Sequence, residues 1–303
     1  VGQSVWVSGE ALIDLLPGDD AQTLRPVAGG GPANTALALA RLGIDVQFVS
    51  GLSRDRFGHQ IAEQFATNGV GLDHVIWSDL PTCLAVVSLD EQGSATYQFH
   101  IKDTATFDFD ASLLPDPAIE APSVLHIGTL ATIVEPGATL LLEWVKRVAK
   151  YATVVFDPNV RPSVLGNVDA YRSAVHRWVD VSNVVKVSDD DLRFLYPDRD
   201  TIESARAWLS LKRPLVVVTR GGHGLVGVMR EEIIEVPGER VAVVDTVGAG
   251  DTVGAVLAES LAKHSVADLQ GELLHATLTR AAKAAAITCS RPGCQPPTAA
   301  ELN

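Results

Sequence analysis

Short apolar runs recur along the chain at residues 5–8, 46–50, 124–128, 153–156, 183–187 and 214–219, each closing on a glycine or a polar residue. Runs of this length, rich in Val and Ile, predict buried strands. Between them lie segments of helical period. Residues 28–43 read as a glycine turn feeding a helix, with Pro32 at its start and Gly43 just past its end, the asymmetry expected of helix ends. Residues 55–68 close at Gly69, residues 135–150 carry Leu140, Leu141, Trp144, Val145 and Val148 on apolar spacing, and Ser188 caps a helix that opens with three acids. A helix from Thr252 to about Lys263 and an Ala-rich helix at 271–289 complete the set. Alternation of this kind predicts an α/β fold, a three-layer α/β/α sandwich around a mostly parallel sheet. Residues 225–229 and 232–236 read as an antiparallel pair at its end.

The alternation breaks in two places. Residues 83–89 and 95–101 have strand character around a turn at Asp90, Glu91, Gln92 and Gly93, and read as a hairpin. Together with the segments 10–17 and 21–27 they are expected to form a small β-sheet lid, built from insertions at about 10–28 and 82–103 in a single domain spanning 1–303.

Composition removes several function classes. A chain of 303 residues with 47% hydrophobic and 20% charged positions can bury a large core. A net charge of −13 with no basic run opposes a nucleic-acid partner, whose phosphates need clustered Lys and Arg. Cys83, Cys289 and Cys294 leave one thiol odd and show no C-x-x-C spacing, which indicates free thiols in a reducing compartment. No apolar stretch is long enough to span a bilayer and no signal segment opens the chain, so a cytoplasmic protein without membrane association is expected.

Candidate chemistry concentrates where the apolar run 240–244 leads into Gly248, Ala249, Gly250 and Asp251. Free N–H groups at a helix N-terminus attract anions, and small residues let a phosphate approach the backbone. Asp251 is out of place beside such a site unless it takes a proton from an attacking hydroxyl, or only caps the helix. Glu10 and Asp14 follow the first strand, at the strand ends where open α/β sheets bind ligands, although a solvated loop acid reads the same way. Asn34 falls in the first turn after Gly29, Gly30 and Gly31. Arg161, in Asp157-Pro-Asn-Val-Arg161, could clamp a phosphoryl oxygen or pair with Asp157 at the surface. Asp189, Asp190 and Asp191 suit the helix dipole and could also hold Mg²⁺ through water. His100 and Lys102 could face a ligand from the hairpin or lie on the surface.

The Gly-Gly-x-Pro-Ala-Asn stretch and Asp-Thr-Val-Gly-Ala-Gly-Asp near the end closely resemble the two signatures of the ribokinase-like (PfkB) carbohydrate kinases. The likeness spans essentially the whole chain. Gly9-Glu-Ala-Leu-Ile-Asp14, Asp157-Pro-Asn159 with Arg161, Lys186-Val-Ser-Asp-Asp-Asp191, Thr219-Arg-Gly-Gly-His-Gly224 and Arg291-Pro-Gly293 fall in the expected order, and several look most like bacterial fructokinases. The resemblance implies a ribokinase-like fold and a catalytic base at Asp251, with the amides of Gly248, Ala249 and Gly250 holding charge on the transferred phosphoryl group and Arg161 near it. It implies sugar binding by Asp14, Gly30, Gly31 and Asn34. ATP would lie against Thr219, Gly221, Gly224 and Gly250, and Mg²⁺ near Ser188 and Asp191, which stand where the family commonly has Asn-x-x-Glu. A K⁺ site would comprise the Asp245 carboxylate and the carbonyls of Val247, Thr288, Arg291 and Gly293. Lid sheets in this family often pair between subunits, and the exposed face of the hairpin would suit a homodimer; a monomer is equally compatible.

Four readings follow. An ATP-dependent kinase acting on the primary hydroxyl of fructose comes first. A kinase for 2-keto-3-deoxygluconate or another sugar acid keeps the fold and needs a cation in the sugar pocket, with His100, Lys102 or Arg161 as candidates. A non-catalytic sugar sensor has no use for Asp251. A nicotinamide dehydrogenase is opposed by Asn34 where the dinucleotide fingerprint requires Gly, and no P-loop sequence occurs.

Overall fold

The computed structural model describes residues 4–18, 20, 22–89 and 95–302. In chain order its strands are β1 (Val5–Ser8), β2 (Leu12–Pro17), β3 (Leu24–Gly29), β4 (Val46–Val49), β5 (Gly51–Ser53), β6 (Ile76–Ser78), β7 (Leu84–Leu89), β8 (Ala95–His100), β9 (Val124–Gly128), β10 (Thr153–Asp157), β11 (Val184–Ser188), β12 (Leu215–Thr219), β13 (Leu225–Val228) and β14 (Ile233–Val236). Eight of them form one sheet in the order β14-β13-β12-β11-β10-β9-β1-β4. The pairs from β4 to β12 are parallel, and β13 and β14 each run antiparallel to their neighbour. The central parallel strands are apolar on both faces because both faces are covered.

The helices are α1 (Gly31–Arg41), α2 (Arg56–Asn68), α3 (Gly137–Val148), α4 (Pro162–Leu165), α5 (Val168–Val179), α6 (Asp189–Leu195), α7 (Thr201–Ala207), α8 (Ala249–Lys263), α9 (Gly271–Cys289) and α10 (Ala299–Leu302). Val5, Val7, Val155, Val184 and Val217 pack with α1, α2, α8 and α9 in one core. Trp6, Val154, Phe156, Val185, Val187 and Val216 pack with α3, α5, α6 and α7 in the other. Alternation along each strand sends successive side chains to opposite cores, which makes the three layers. The same parity turns His126, Asp157 and Lys186 toward α8.

A second sheet has the order β3-β2-β7-β8, antiparallel within each hairpin and parallel between β2 and β7. It matches the small sheet expected from the two insertions, although β3 begins at Leu24 and the turn at Asp90–Gly93 lies outside the described residues. Several boundaries move by one to three residues, and three of the differences bear on the fold. The run 46–50 ends at Val49, and the next residues form β5, which pairs with β6 in a two-stranded parallel sheet that no local pattern announces. α3 starts at Gly137, since Pro136 disfavours helical backbone at the residue before it. α8 starts at Ala249 rather than Thr252, because Gly248 takes the N-cap position in left-handed conformation and the small residues join the helix.

Candidate active site

The N-terminal turn of α8 stands where two cavities meet. The first, of about 280 Å³, is bounded by Glu10, Asp14, Gly30, Gly31, Asn34, Arg161 and Asp251, with Tyr97 and Phe99 of the small sheet across from them. The second, of about 380 Å³, runs beside β11 and β12 and has an apolar wall of Val241, Val243, Val253, Ala282 and Ala285. Asn159, Lys186, Thr246 and Gly250 line both. Anything spanning the two cavities therefore passes the first turn of α8.

Asp251 is buried and lies within that turn, but it does not cap the helix: Gly248 holds the cap position and no side chain closes it. One Asp251 oxygen instead accepts a hydrogen bond from Asn34 Nδ2 at 2.8 Å. The cap reading of Asp251 is thereby overturned. Burial pushes its carboxyl up to about 6; Lys186 opposes the shift and Asp157 adds to it. Such a group is ionised at neutral pH and poised to take a proton. Asn34 keeps its Oδ1 buried without a partner, an acceptor left over for a ligand. The glycine turn makes this approach practicable. A Cβ on Gly31 would fall 2.8 Å from Thr129 Cγ2 and 3.2 Å from Asp251 Oδ1.

Of the three amides expected to face an anion, two are free. The N–H groups of Gly248 and Gly250 donate to no acceptor among the described residues, whereas that of Ala249 donates to Thr246 O at 3.3 Å. Ala249 is thus partly consumed by the turn that precedes the helix, and the Asp251 N–H, also without an acceptor, is the better third donor.

Asp14 lines the first cavity, and burial raises its carboxyl to about 6 against the pull of Arg161. Arg161 lines it too. Asp157, the alternative partner the sequence offered for Arg161, is paired elsewhere, with Lys186 at 2.8 Å, and Arg161 Nη1 donates instead to the carbonyls of Asn159 and Val160. The reason is parity: Asp157 turns inward toward α8, out of reach of the surface. His100 and Lys102 are exposed and line neither cavity.

Thr219, Gly221 and Gly224 line the second cavity together with Ser188 and Asp191. The Ser188 hydroxyl and the Asp191 carboxylate form a reciprocal capping box, and the other Asp191 oxygen accepts from Val160 N at 2.8 Å. Asp189 and Asp190 both bond Arg193 at 2.6 Å. The three acids are therefore engaged by the protein, and no group of three His, Cys, Asp or Glu among the described residues is arranged to hold a metal ion. Of the proposed K⁺ set, Asp245 accepts from Val247 N and Gly293 N, at 3.0 and 2.9 Å, which draws the two loops together. The Thr288 carbonyl accepts from Arg291 N.

Glu10, for which the sequence offered a ligand-binding strand end or a solvated loop, is 2% exposed and lines the first cavity. Thr129 Oγ1 and Ala131 N donate to its carboxyl, and burial pushes it up to about 8. Thr129 and Asn159 sit in left-handed backbone at φ 57 and 37, which is costly for non-glycine residues and concentrates at sites. The raised Glu10 value carries a prediction. The folded state holds a proton that the unfolded state has lost, so stability declines from about pH 4.5 up to about 8. Glu10→Gln should flatten that decline in urea unfolding followed from pH 5 to 9, and an unchanged slope would show that Glu10 is not the neutral group.

Lys186, Asn159 and Thr246 were missed as site residues, and Glu10 was placed at a ligand-binding strand end without a role. For Lys186 a signal existed: a lone ammonium inside the apolar strand 183–187. No helix among the described residues is long and apolar enough to cross a membrane.

The pfkB family carbohydrate kinase profile matches residues 3–301. The chain is 35% identical over 275 residues to a fructokinase of Rhizobium leguminosarum bv. trifolii, covering 88% of this chain and 84% of that protein. It resembles the fructokinase of Xylella fastidiosa with bound ATP at a TM-score of 0.92 and 28% identity, over 100% of this chain and 97% of that one. It also resembles a fructokinase double mutant of Vibrio cholerae O395 in a form with fructose, ADP and potassium ion bound, at a TM-score of 0.81 and 26% identity, over 96% and 93% of the two chains.

Proposed function

The chain belongs to the pfkB family of carbohydrate kinases and is a sugar kinase, and we propose that it transfers the γ-phosphoryl group of ATP to the primary hydroxyl of D-fructose. The observation that carries this reading is Asp251, a buried carboxylate in the first turn of α8, between a polar cavity and a nucleotide-sized cleft with an apolar wall. In the proposed reaction the Asp251 carboxylate takes the hydroxyl proton. The sugar oxygen forms its bond to the γ-phosphorus while the bond to the β,γ-bridging oxygen breaks, and that electron pair leaves with ADP. The free N–H groups of Gly248, Gly250 and Asp251 receive the charge spread over the transferred group. Arg161 supplies positive charge from the sugar side.

Asp14, Asn34 and the glycine turn at Gly30 and Gly31 would hold sugar hydroxyls, and Thr219, Gly221 and Gly224 the nucleotide. Mg²⁺ enters such sites largely on the phosphates and keeps much of its water. Asp191, with both oxygens occupied, would reach it through water beside Ser188. The loops joined by Asp245 suit K⁺, held by that carboxylate and the carbonyls of Val247, Thr288, Arg291 and Gly293, which would stiffen the turn before α8. The V. cholerae fructokinase with fructose, ADP and potassium ion bound supports the ligand set. The small sheet, with Tyr97 and Phe99 over the first cavity, would act as the lid, and its free edge would pair in a homodimer.

A sugar acid would depend on Arg161. Of the three candidate cations it alone lines the first cavity, beside Asp14 and Asp251, whereas His100 and Lys102 lie outside, so two of the expected partners for a carboxylate are missing. Coupled ADP release should be measured over fructose, ribose, tagatose, 2-keto-3-deoxygluconate and adenosine, with and without K⁺. Fructose should give the highest kcat/KM, with K⁺ raising it. A higher value for 2-keto-3-deoxygluconate would overturn the substrate, and no stimulation by any sugar would favour a sensor.

A further inference from the structure

Lysine is among the residues least often buried, and an ammonium out of water is costly unless it is paired. Lys186 is nevertheless 4% exposed, in the middle of β11 between Val185 and Val187. Its Nζ bonds Asp157 Oδ2 at 2.8 Å, and that carboxylate is itself 1% exposed. An ammonium has three donors, and this bond uses one. A Cβ placed on Gly250 would lie 2.9 Å from Nζ, so the ammonium lies directly against the first turn of α8. Lys186 also lines both cavities, which Asp251 and Arg161 do not.

We propose that Lys186 is a catalytic residue: its two spare N–H donors bind oxygens of the phosphoryl group as it crosses from the nucleotide cavity to the sugar, opposite the Gly250 amide. The inference rests on the kinase reading above. Asp157 is then a positioning residue, holding Nζ at the divide. Burial alone would push the Lys186 ammonium down, but Asp157, Asp251 and Asp191 outweigh it, so the group keeps its charge. As the sugar oxygen bonds to phosphorus and the leaving oxygen departs with its electron pair, negative charge on the equatorial oxygens meets a cation already desolvated and fixed. No reorganisation is needed at that moment. The proton still goes to Asp251, and Lys186 neither gains nor loses one.

A structural alternative gives Lys186 the sole task of neutralising Asp157. The two differ in a paired substitution. Lys186→Gln should lower kcat by about 10²–10³-fold, the loss expected when one preorganised donor is removed, while fructose affinity by calorimetry changes little. In Asp157→Asn/Lys186→Gln the Asp157 charge goes with its partner, and kcat is read across pH because Lys186 also holds the Asp251 carboxyl down; a neutralising role predicts turnover recovered at high pH, whereas a phosphoryl-binding role predicts that kcat stays low at every pH. Should the single variant fail to fold, the double variant alone decides. Binding of ADP with aluminium fluoride in the presence of fructose should weaken in the double variant by about the same factor as kcat. Recovery of kcat to near wild type, or unchanged aluminium fluoride binding, would overturn the proposal. If the wild type releases no ADP with any sugar, the kinase reading fails first, and the variants are then not at issue.

Discussion

Asp251→Asn is expected to lower sugar phosphorylation by about 10²–10⁴-fold, the usual worth of a positioned base, while leaving fructose binding measurable and making the protein more stable at neutral pH. The three outcomes share one cause. Wild-type Asp251 is buried, and its carboxyl is raised to about 6 from the ordinary 3.8, so the folded state resists the charge that catalysis needs. The folded protein binds the proton more tightly than the unfolded chain. Its contribution to stability is complete below pH 3.8, falls as pH rises toward about 6, and is lost above. Asparagine escapes that loss and can still accept the hydrogen bond from Asn34. The variant should therefore gain roughly 1–3 kcal/mol at pH 7.5, from a shift of about two pH units, and no more than a small fraction of that at pH 4. Turnover, sugar titration and urea unfolding at the two pH values check the argument. Near-normal turnover would remove the base assignment, and equal stability at both pH values would remove the electrostatic cause. Wild-type turnover should correspondingly fall as pH drops through about 6, because the base is then protonated.

The order of strands and helices was legible because each strand is a short apolar run and each helix has a punctuated end. Gly43 and Gly69 both adopt positive φ at the ends of α1 and α2, where the sequence places a stop. Polar pairing across the chain was not legible. Asn34 and Asp251 bond over 217 residues, and Lys186 and Asp157 over 29, and neither separation leaves a local periodic mark. Hence Asp251 could be read as a cap and Arg161 as the partner of Asp157. Both alternatives were settled by which face of a strand or helix a side chain leaves. The apolar run 240–244 is a further case. Val243 and Val244 are 64% and 59% exposed in a loop, since that segment borders the second cavity and joins no sheet.

The mouth of α8, from the turn before it through its first residues, joins these observations. It carries the free amides, it touches Lys186 through Gly250, and it is tied to the loop after α9 by Asp245 and Gly293. Few side chains fit there. The cost of placing one can be read from the same geometry.

Gly248→Ala is expected to destabilise the protein by about 2–4 kcal/mol and to lower turnover on the order of 10²-fold. Gly248 caps α8 at φ 80, a conformation that costs other L-residues roughly 1–2 kcal/mol. The added methyl would also fall 2.2 Å from Cys294 Sγ and 2.9 Å from Cys294 Cβ, so the loop after α9 must move away. Movement there shifts Gly293, which donates to Asp245, and with it the turn that aims the Gly248 and Gly250 amides. The two costs can be separated. Cys294→Gly in the Gly248→Ala background removes the atoms in collision but leaves the backbone strain, so stability should return only in part, a coupling that a double-mutant cycle measures. Turnover should recover to the extent that the loop returns, with fructose affinity little changed throughout, because the amides meet charge that develops on the phosphoryl group rather than the resting sugar. If Gly248→Ala retains wild-type kcat, the left-handed residue at the mouth of α8 is a folding device alone, and the anion-holding turn must be sought elsewhere.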